Sequence, residues 1–170
     1  MKLLDFSAIT GLVIALSACG GDDPGLPRVS AGEGIGGVTL GMRYADLRTL
    51  LGEPSAAITV TRQSILMFDE AGLEAVLASS EDSAVSNDAY VLGVSAMDEG
   101  FTGPHPGQTR AEIEAALGAP DFEEAGVAFW TEGMSVVWSP EGNARQVAVF
   151  APFTIETEMP EMQPALGGAR

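Results

Sequence analysis

Three reactive residue types are nearly absent from this chain of 170 residues, which contains one cysteine, one histidine and one lysine. A single cysteine excludes an intramolecular disulfide. One thiol and one imidazole cannot form a Cys/His zinc cluster, and there is no Gly-x-Ser-x-Gly motif. The histidine, His105, lies between two prolines, as is typical of a surface loop. The sequence therefore offers no constellation for nucleophilic or zinc-dependent catalysis, and we expect no enzyme and no cofactor.

Positive charge is also scarce, since the formal net charge is −16 and Lys2 is the only lysine. Such a surface repels phosphate groups, so nucleic acid and anionic lipid headgroups are excluded as electrostatic partners. The acidity itself has two interpretations. It provides solubility, or it forms an acidic face for a basic partner or for divalent cations.

The acidic residues form two local clusters. Their members are Glu81, Asp82 and Asp88 in one loop, and Asp121, Glu123 and Glu124 in another. Neither run fits the spacing of an EF-hand loop, and nothing singles out one carboxylate pair as an acid and base. We therefore interpret both clusters as solvated loop charge and expect no metal site.

Long hydrophobic runs are absent, and the apolar run at residues 8–16 is shorter than the ~20 residues of a membrane-spanning helix. It ends in Leu16-Ser17-Ala18-Cys19, which resembles a bacterial lipobox. The resemblance implies a lipoprotein signal peptide over residues 1–18. It also implies that Cys19 becomes the mature N-terminus, with a thioether-linked diacylglycerol and an amide-linked acyl chain such as palmitate. The alternative is ordinary secretion with cleavage near Ala18.

The residue after Cys19 is Gly20, not the aspartate that marks inner-membrane retention in Gram-negative lipoproteins of this kind. The resemblance thus implies the periplasmic face of the bacterial outer membrane, held by the acyl chains on Cys19. Residues 19–34 comprise the lipidated N-terminus and a stretch rich in Gly, Pro and Asp, which predicts a flexible tether. Residues 154–170 predict a disordered tail.

One segment occurs twice in related form. Residues 40–54 read LGMRYADLRTLLGEP and residues 106–120 read PGQTRAEIEAALGAP, so that Gly, Ala, Leu-Gly and Pro recur at one constant offset. Each copy predicts a short helix that ends at a glycine and a proline. Thr109 and Glu112 have the spacing of a capping box, whereas the first copy has Arg43 at the capping position. We interpret the recurrence as an internal repeat.

Short β-prone segments follow each predicted helix. Residues 64–68 and 73–78 predict a hairpin with a four-residue connection, and 127–130 and 134–138 predict another. Residues 89–97 predict a further strand, in which Gly93 weakens the middle or marks a bulge. Residues 145–150 close the second unit.

The predicted fold is therefore α+β. It consists of two tandem repeats, residues 35–99 and 100–153, each a short helix followed by about three antiparallel strands. Units of this size bury too little surface to be stable alone, so both helices are expected on one face of a shared sheet. Trp130, Trp138 and Phe150 are interpreted as core residues, with a binding patch on a bare sheet face as the alternative.

The repeated Gly-x-x-x-x-(acid)-(aliphatic)-x-x-x-Leu-Gly-x-Pro pattern, with the hairpin after it, resembles the BamE (SmpA/OmlA) family. These are small outer-membrane lipoproteins associated with the β-barrel assembly machine. The tandem arrangement is also similar to the β-lactamase inhibitory protein family. The resemblances imply a non-catalytic binding or scaffolding module with an envelope protein as partner. An inhibitor of an envelope enzyme, acting through a concave sheet, is the alternative, and an enzyme with an unrecognised carboxylate site is a third.

Overall fold

The structure, a computed structural model, describes residues 26–60, 62–78 and 85–154. The predicted signal peptide, the lipidation site Cys19, the acids Glu81 and Asp82 and nearly all of the predicted tail lie outside these ranges. The accounts given for them above therefore rest on the sequence alone.

A small antiparallel sheet comes first in the described chain. It consists of β1 (Val29–Ser30), β2 (Gly34–Ile35) and β3 (Val38–Thr39), in that order across the sheet. These strands lie partly within the stretch predicted as a tether, and that prediction does not hold from Val29 onward. Each strand is only two residues long, which is too short for hydrophobic alternation to be visible in the sequence.

Two helices and a second, larger sheet follow. Helix α1 spans Tyr44–Leu51 and α2 spans Arg110–Leu117. The remaining strands, in chain order, are β4 (Ala56–Val60), β5 (Gln63–Phe68), β6 (Leu73–Ala78), β7 (Tyr90–Ala96), β8 (Phe122–Glu124), β9 (Val127–Trp130), β10 (Met134–Trp138) and β11 (Ala144–Phe150). All eight belong to one antiparallel sheet with the order β4-β5-β6-β7-β11-β10-β9-β8.

The predicted fold class was wrong. The described chain is mainly β, with an eight-stranded and a three-stranded sheet, and its two helices are minor elements of eight residues each. Two repeats of a helix and three strands do not describe it. The prediction gave weight to the helical segments because their caps and periodicity are strong local signals. Strands as short as β1, β2, β3 and β8 give almost no local signal, so the β content was underestimated.

The hairpins were located correctly. β5 pairs with β6 from Phe68 opposite Leu73, across the four-residue connection, and β9 pairs with β10. The pairing of β6 with β7 shifts register beside Gly93, which is the bulge that this glycine suggested. Turn residues and apolar runs therefore predicted these strands better than they predicted the overall class.

Helix α2 begins with the predicted capping box. The hydroxyl of Thr109 accepts from the backbone N–H of Glu112, and the Glu112 carboxylate accepts from the backbone N–H of Thr109 over 2.8 Å. The residue before α1, Arg43, provides no side-chain cap, as its type predicts. Both helices end at a glycine with positive φ, Gly52 and Gly118, a conformation that favours glycine.

One core joins both helices, the small sheet and one face of the large sheet. The helices contribute Tyr44, Leu47 and Ile113, all buried. The small sheet contributes Val29, Ile35 and Val38. The buried strand residues include Leu66, Phe68, Leu73, Ala75, Leu77, Val91, Val94, Ala128, Trp130, Met134, Val136, Val147 and Val149. We call the sheet face that carries them the inner face.

Candidate functional site

The opposite face of the eight-stranded sheet, here called the outer face, carries the alternate residues of the same strands. In β5 the inner residues Leu66 and Phe68 are buried, whereas the outer residues Ile65 and Met67 are half-buried. The same alternation runs along β6. Because the helices and the small sheet contribute to the inner core, the outer face is covered by neither.

Strand register places the outer residues in continuous rows across the sheet. One row consists of Ala56, Met67, Glu74, Ser95, Ala148, Ser135, Phe129 and Phe122. A second row consists of Ile58, Ile65, Val76, Gly93 and Phe150. Apolar side chains dominate both rows, and Glu74 is the single charged residue in them. A charge-poor, apolar surface of this kind is typical of protein contact sites.

Four phenylalanines form an aromatic cluster at one end of the outer face. Phe122 and Phe129 are stacked, with ring centroids 4.6 Å apart and planes within 6°. Phe153, just beyond β11, meets the edge of Phe122 at 6.1 Å and lies 5.8 Å from Phe150. Phe150 stands opposite Gly93, where a Cβ atom would come within 3.2 Å of the Val149 carbonyl oxygen. A side chain at position 93 would therefore crowd the backbone of β11.

The other end of the outer face carries the most exposed apolar side chains. Ile58 is 49% exposed, Val60 is 60% exposed and Tyr90 is 49% exposed. Val60 and Tyr90 share a third cross-strand row, through Gln63 and Ala78. We call Ile58 and Val60 the aliphatic corner. It lies at the opposite end of the outer face from the aromatic cluster.

Three of the acids singled out in the sequence, Asp88, Asp121 and Glu123, lie in ordinary surface contacts. The Asp121 carboxylate accepts from the backbone N–H of Thr131 over 2.7 Å and from its hydroxyl over 2.9 Å. Glu123 forms an ion pair with Arg110, and Asp88 lies 3.4 Å from Arg43. Within the described ranges, no three His, Cys, Asp or Glu residues are grouped so as to hold a metal ion.

Among the described residues, the carboxyl groups whose pKa clearly departs from the ordinary value all have a lowered pKa. The backbone N–H and then the hydroxyl of Thr131 lower the pKa of Asp121, and Thr109 lowers the pKa of Glu112 in the same way. The pKa of Glu141 is lowered by its own backbone N–H and then by the Ser139 hydroxyl. A general acid near neutral pH requires a raised pKa, so these three groups are unsuited to that role.

The remaining sequence candidates are divided between the core and the surface. Trp130 is a buried core residue whose Nε1–H donates to the Gly118 carbonyl oxygen over 3.2 Å. Trp138 packs against the core and beneath Arg110, 5.1 Å from ring to guanidinium, in a surface depression of about 610 Å³. Phe150 lies on the outer face and not in the core. His105 is half-buried, and its Nδ1 lies 2.7 Å from the Pro106 carbonyl oxygen.

Three outer-face aromatics were not singled out from the sequence. Phe129 is adjacent to Trp130 in β9, and only the alternation of sides along a strand distinguishes their faces. Phe122 lies in a three-residue strand that was not predicted, and Phe153 follows the last strand. Alternate residues along β9 and β11 point to opposite faces of the sheet. This alternation identifies the outer residues only once the buried face is known.

Comparison with protein-family models, with curated proteins and with solved structures gives no significant match to this chain. Neither helix of the described ranges has the length and apolarity needed to cross a bilayer. The outer face, defined by geometry and chemistry, is therefore the basis for a functional assignment.

Proposed function

We propose that this protein is a periplasmic lipoprotein of the outer membrane that binds another envelope protein through its outer face, without catalysis. The observation that carries the proposal is a continuous apolar sheet face that lies opposite the core. Its aliphatic corner and aromatic cluster supply large side chains of the kinds that form the centre of protein interfaces.

The exposure of this surface is costly unless a partner covers it. Isolated apolar residues at a surface are normal, but contiguous patches mark sites of interaction. Exposed acids are spread over the rest of the described chain, and the charge-poor outer face contrasts with them. This distribution supports a contact in which apolar burial provides affinity and the acidic surroundings select the partner.

The membrane anchor is the second part of the proposal and rests on Leu16-Ser17-Ala18-Cys19 with Gly20. Acyl chains on Cys19 stabilise membrane attachment by ~0.8 kcal/mol for each buried CH₂ group. An anchored binding module suits a role in envelope or outer-membrane protein assembly, as the resemblance to BamE suggests. Intact mass of the membrane-extracted protein tests the anchor. A mature chain that begins at Cys19 without added lipid mass contradicts it.

An inhibitor of an envelope enzyme is the alternative, and the same open sheet face favours it. The two functions differ in the protein that is bound. An assembly factor contacts a membrane-associated machine, whereas an inhibitor contacts one soluble enzyme and lowers its activity.

Cross-linked affinity capture from intact cells tests the binding proposal. Tyr90→Glu places a charge on the outer face, and Leu50→Glu is its matched control because Leu50, on α1, is 48% exposed against 49% for Tyr90. We expect the wild-type chain and Leu50→Glu to capture the same envelope protein and Tyr90→Glu to capture at least about tenfold less, since a charge must be desolvated at the contact.

Two results contradict the proposal. One is equal capture by the two variants, which places the contact elsewhere. The other is the absence of any protein enriched over a Cys19→Ala chain that lacks the anchor. Recovery of one soluble enzyme, inhibited by the purified chain, replaces the assembly role with the inhibitor role and retains the outer face as the site.

A further inference from the structure

The two edges of the eight-stranded sheet are protected differently. β4 and β8 are the edge strands of this sheet, and each pairs with a single described strand of the sheet. β8 has only three residues, two of which are glutamates. β4 has five residues, four of them exposed, and carries no charge. Natural proteins usually blunt exposed edges with charge, proline or short length, and β4 has none of these within the strand.

The uncharged stretch extends beyond the strand itself. Residues 54–61, PSAAITVT, contain no acid and no base in a chain with a net charge of −16. Two copies of so acidic a chain repel each other over most approaches, because like charges oppose contact within a Debye length of ~8 Å at physiological salt. The β4 edge is a place where two copies can meet without bringing acids together.

The charges that flank β4 are complementary in an antiparallel self-pairing. Glu53 precedes the uncharged stretch and Arg62 follows it. If Ile58 stands opposite the partner's Ile58, Arg62, in the turn that follows β4, lies at the same end of the contact as the partner's Glu53, which also contacts Arg48 of its own chain. Arg62 has no ion pair with any described residue, so it is available for this contact.

The side chains also match in this register. On the outer face Val60 stands opposite the partner's Ala56, and Ile58 meets the partner's Ile58. On the inner side Ala57 stands opposite the partner's Thr59. Apolar and β-branched cross-strand pairs of this kind stabilise sheets, and every pair except the central Ile58–Ile58 pair occurs twice because the contact is symmetric.

We propose that β4 pairs with the β4 strand of a second copy, joining two eight-stranded sheets edge to edge through a twofold axis centred at Ile58. The unpaired edge of β4 supplies backbone N–H and C=O groups for hydrogen bonds to the second copy. The uncharged stretch allows two acidic chains to come together, and the opposite charges of Glu53 and Arg62 at its two ends favour the antiparallel direction. This contact is between copies of the chain and does not depend on the partner proposed above. The pairing also brings the aliphatic corners of two outer faces together.

A disulfide trap tests the register. In the full chain with Cys19→Ala, an Ile58→Cys substitution introduces the only thiol. Directly opposed residues of antiparallel strands have Cα atoms ~4.5–5.5 Å apart, within the ~4.4–6.8 Å range of disulfides. We expect rapid formation of a disulfide-linked dimer under mild oxidation. Leu50→Cys in the same background, which is matched in exposure, reports random collision and should cross-link at least about tenfold more slowly.

Sedimentation of non-cross-linked protein gives an independent readout. We expect a concentration-dependent dimer for the wild-type chain and for Leu50→Lys. Ile58→Lys should weaken the dimer at least about tenfold, because two like charges would face each other at the twofold axis. The Ile58 side chain is half exposed, so a well-folded monomer is expected, and circular dichroism verifies it.

Three results overturn the inference. These are a wild-type chain that is monomeric at all concentrations, equal cross-linking at positions 58 and 50, and an Ile58→Lys chain that still dimerises. Each is separable from the capture experiment, which uses Tyr90 and depends on a different protein.

Discussion

The inner and outer faces of the eight-stranded sheet are built from the same strands, yet they differ in what covers them. The inner face is sealed by two short helices and a small sheet, and its residues are nearly all buried. The outer-face side chains of β5, β6 and β9 are half exposed. The difference indicates that one covered face supplies the main core of this domain. The second face carries apolar side chains without that role.

The largest expected difference in the free energy of unfolding is between variants of Ile65 and Leu66. These residues are neighbours in β5 and point to opposite faces of the sheet. Leu66→Ala removes a fully buried side chain and should lower the free energy of unfolding by ~2–5 kcal/mol. Ile65→Ala removes a half-buried one and should cost about 1 kcal/mol, since less area leaves water on folding. Urea unfolding of both variants measures the difference. Equal losses would mean that the outer face is as well packed as the inner face.

The aromatic cluster shows how strongly the outer-face side chains pack against one another. Phe122 and Phe129 are stacked at 4.6 Å, and such pairs contribute about 0.5–1.5 kcal/mol beyond area burial. A double-mutant cycle with Phe122→Leu and Phe129→Leu should show a coupling of that size in the free energy of unfolding. Additive losses would show that the rings do not hold each other in place.

The smallest expected change in stability is for a variant of Asp121, because its contact with Thr131 is at the surface, beside β8. The hydrogen bonds from Thr131 lower the pKa of this carboxyl, so its ionised form stabilises the folded chain. That stabilisation is fully present above the unfolded pKa of about 3.9 and is lost as the pH falls through the lowered folded pKa. Asp121→Asn should therefore have a lower Tm than the wild type at pH 7, and the gap should close at strongly acidic pH.

The control for this prediction is Glu124→Gln, which removes an acid from the adjacent strand β8. Its Tm should stay near that of the wild type, or rise slightly because the net charge of −16 is reduced. A gap for Asp121→Asn that is constant with pH would contradict the assignment to the ionised carboxylate.

Local signals in the sequence predicted the local structure well. The Thr109 and Glu112 capping box, the Gly52 and Gly118 helix ends and the two hairpins are confirmed because a few neighbouring residues determine each of them. The fold class was wrong because β1, β2, β3 and β8 form only when partner strands are present. A two- or three-residue strand has no periodicity to detect.

The candidate site was less predictable than the elements that carry it. Trp130 and Phe150 have similar aromatic character and both lie in strands, but Trp130 belongs to the core and Phe150 to the outer face. The side to which a residue points depends on register and on which face the helices cover. Neither quantity is determined within one strand. The roles of Asp121 and Glu123 likewise became clear only when their contact partners, Thr131 and Arg110, were known.

Site-specific photo-cross-linking in intact cells shows whether the outer face binds an envelope protein. A photoreactive residue at Tyr90 on the outer face is compared with one at Leu50 on α1, which is equally exposed. We expect a discrete adduct with one envelope protein from position 90 and none from position 50. An adduct from position 50 alone, or none from either, would contradict the assignment of the outer face as the binding surface.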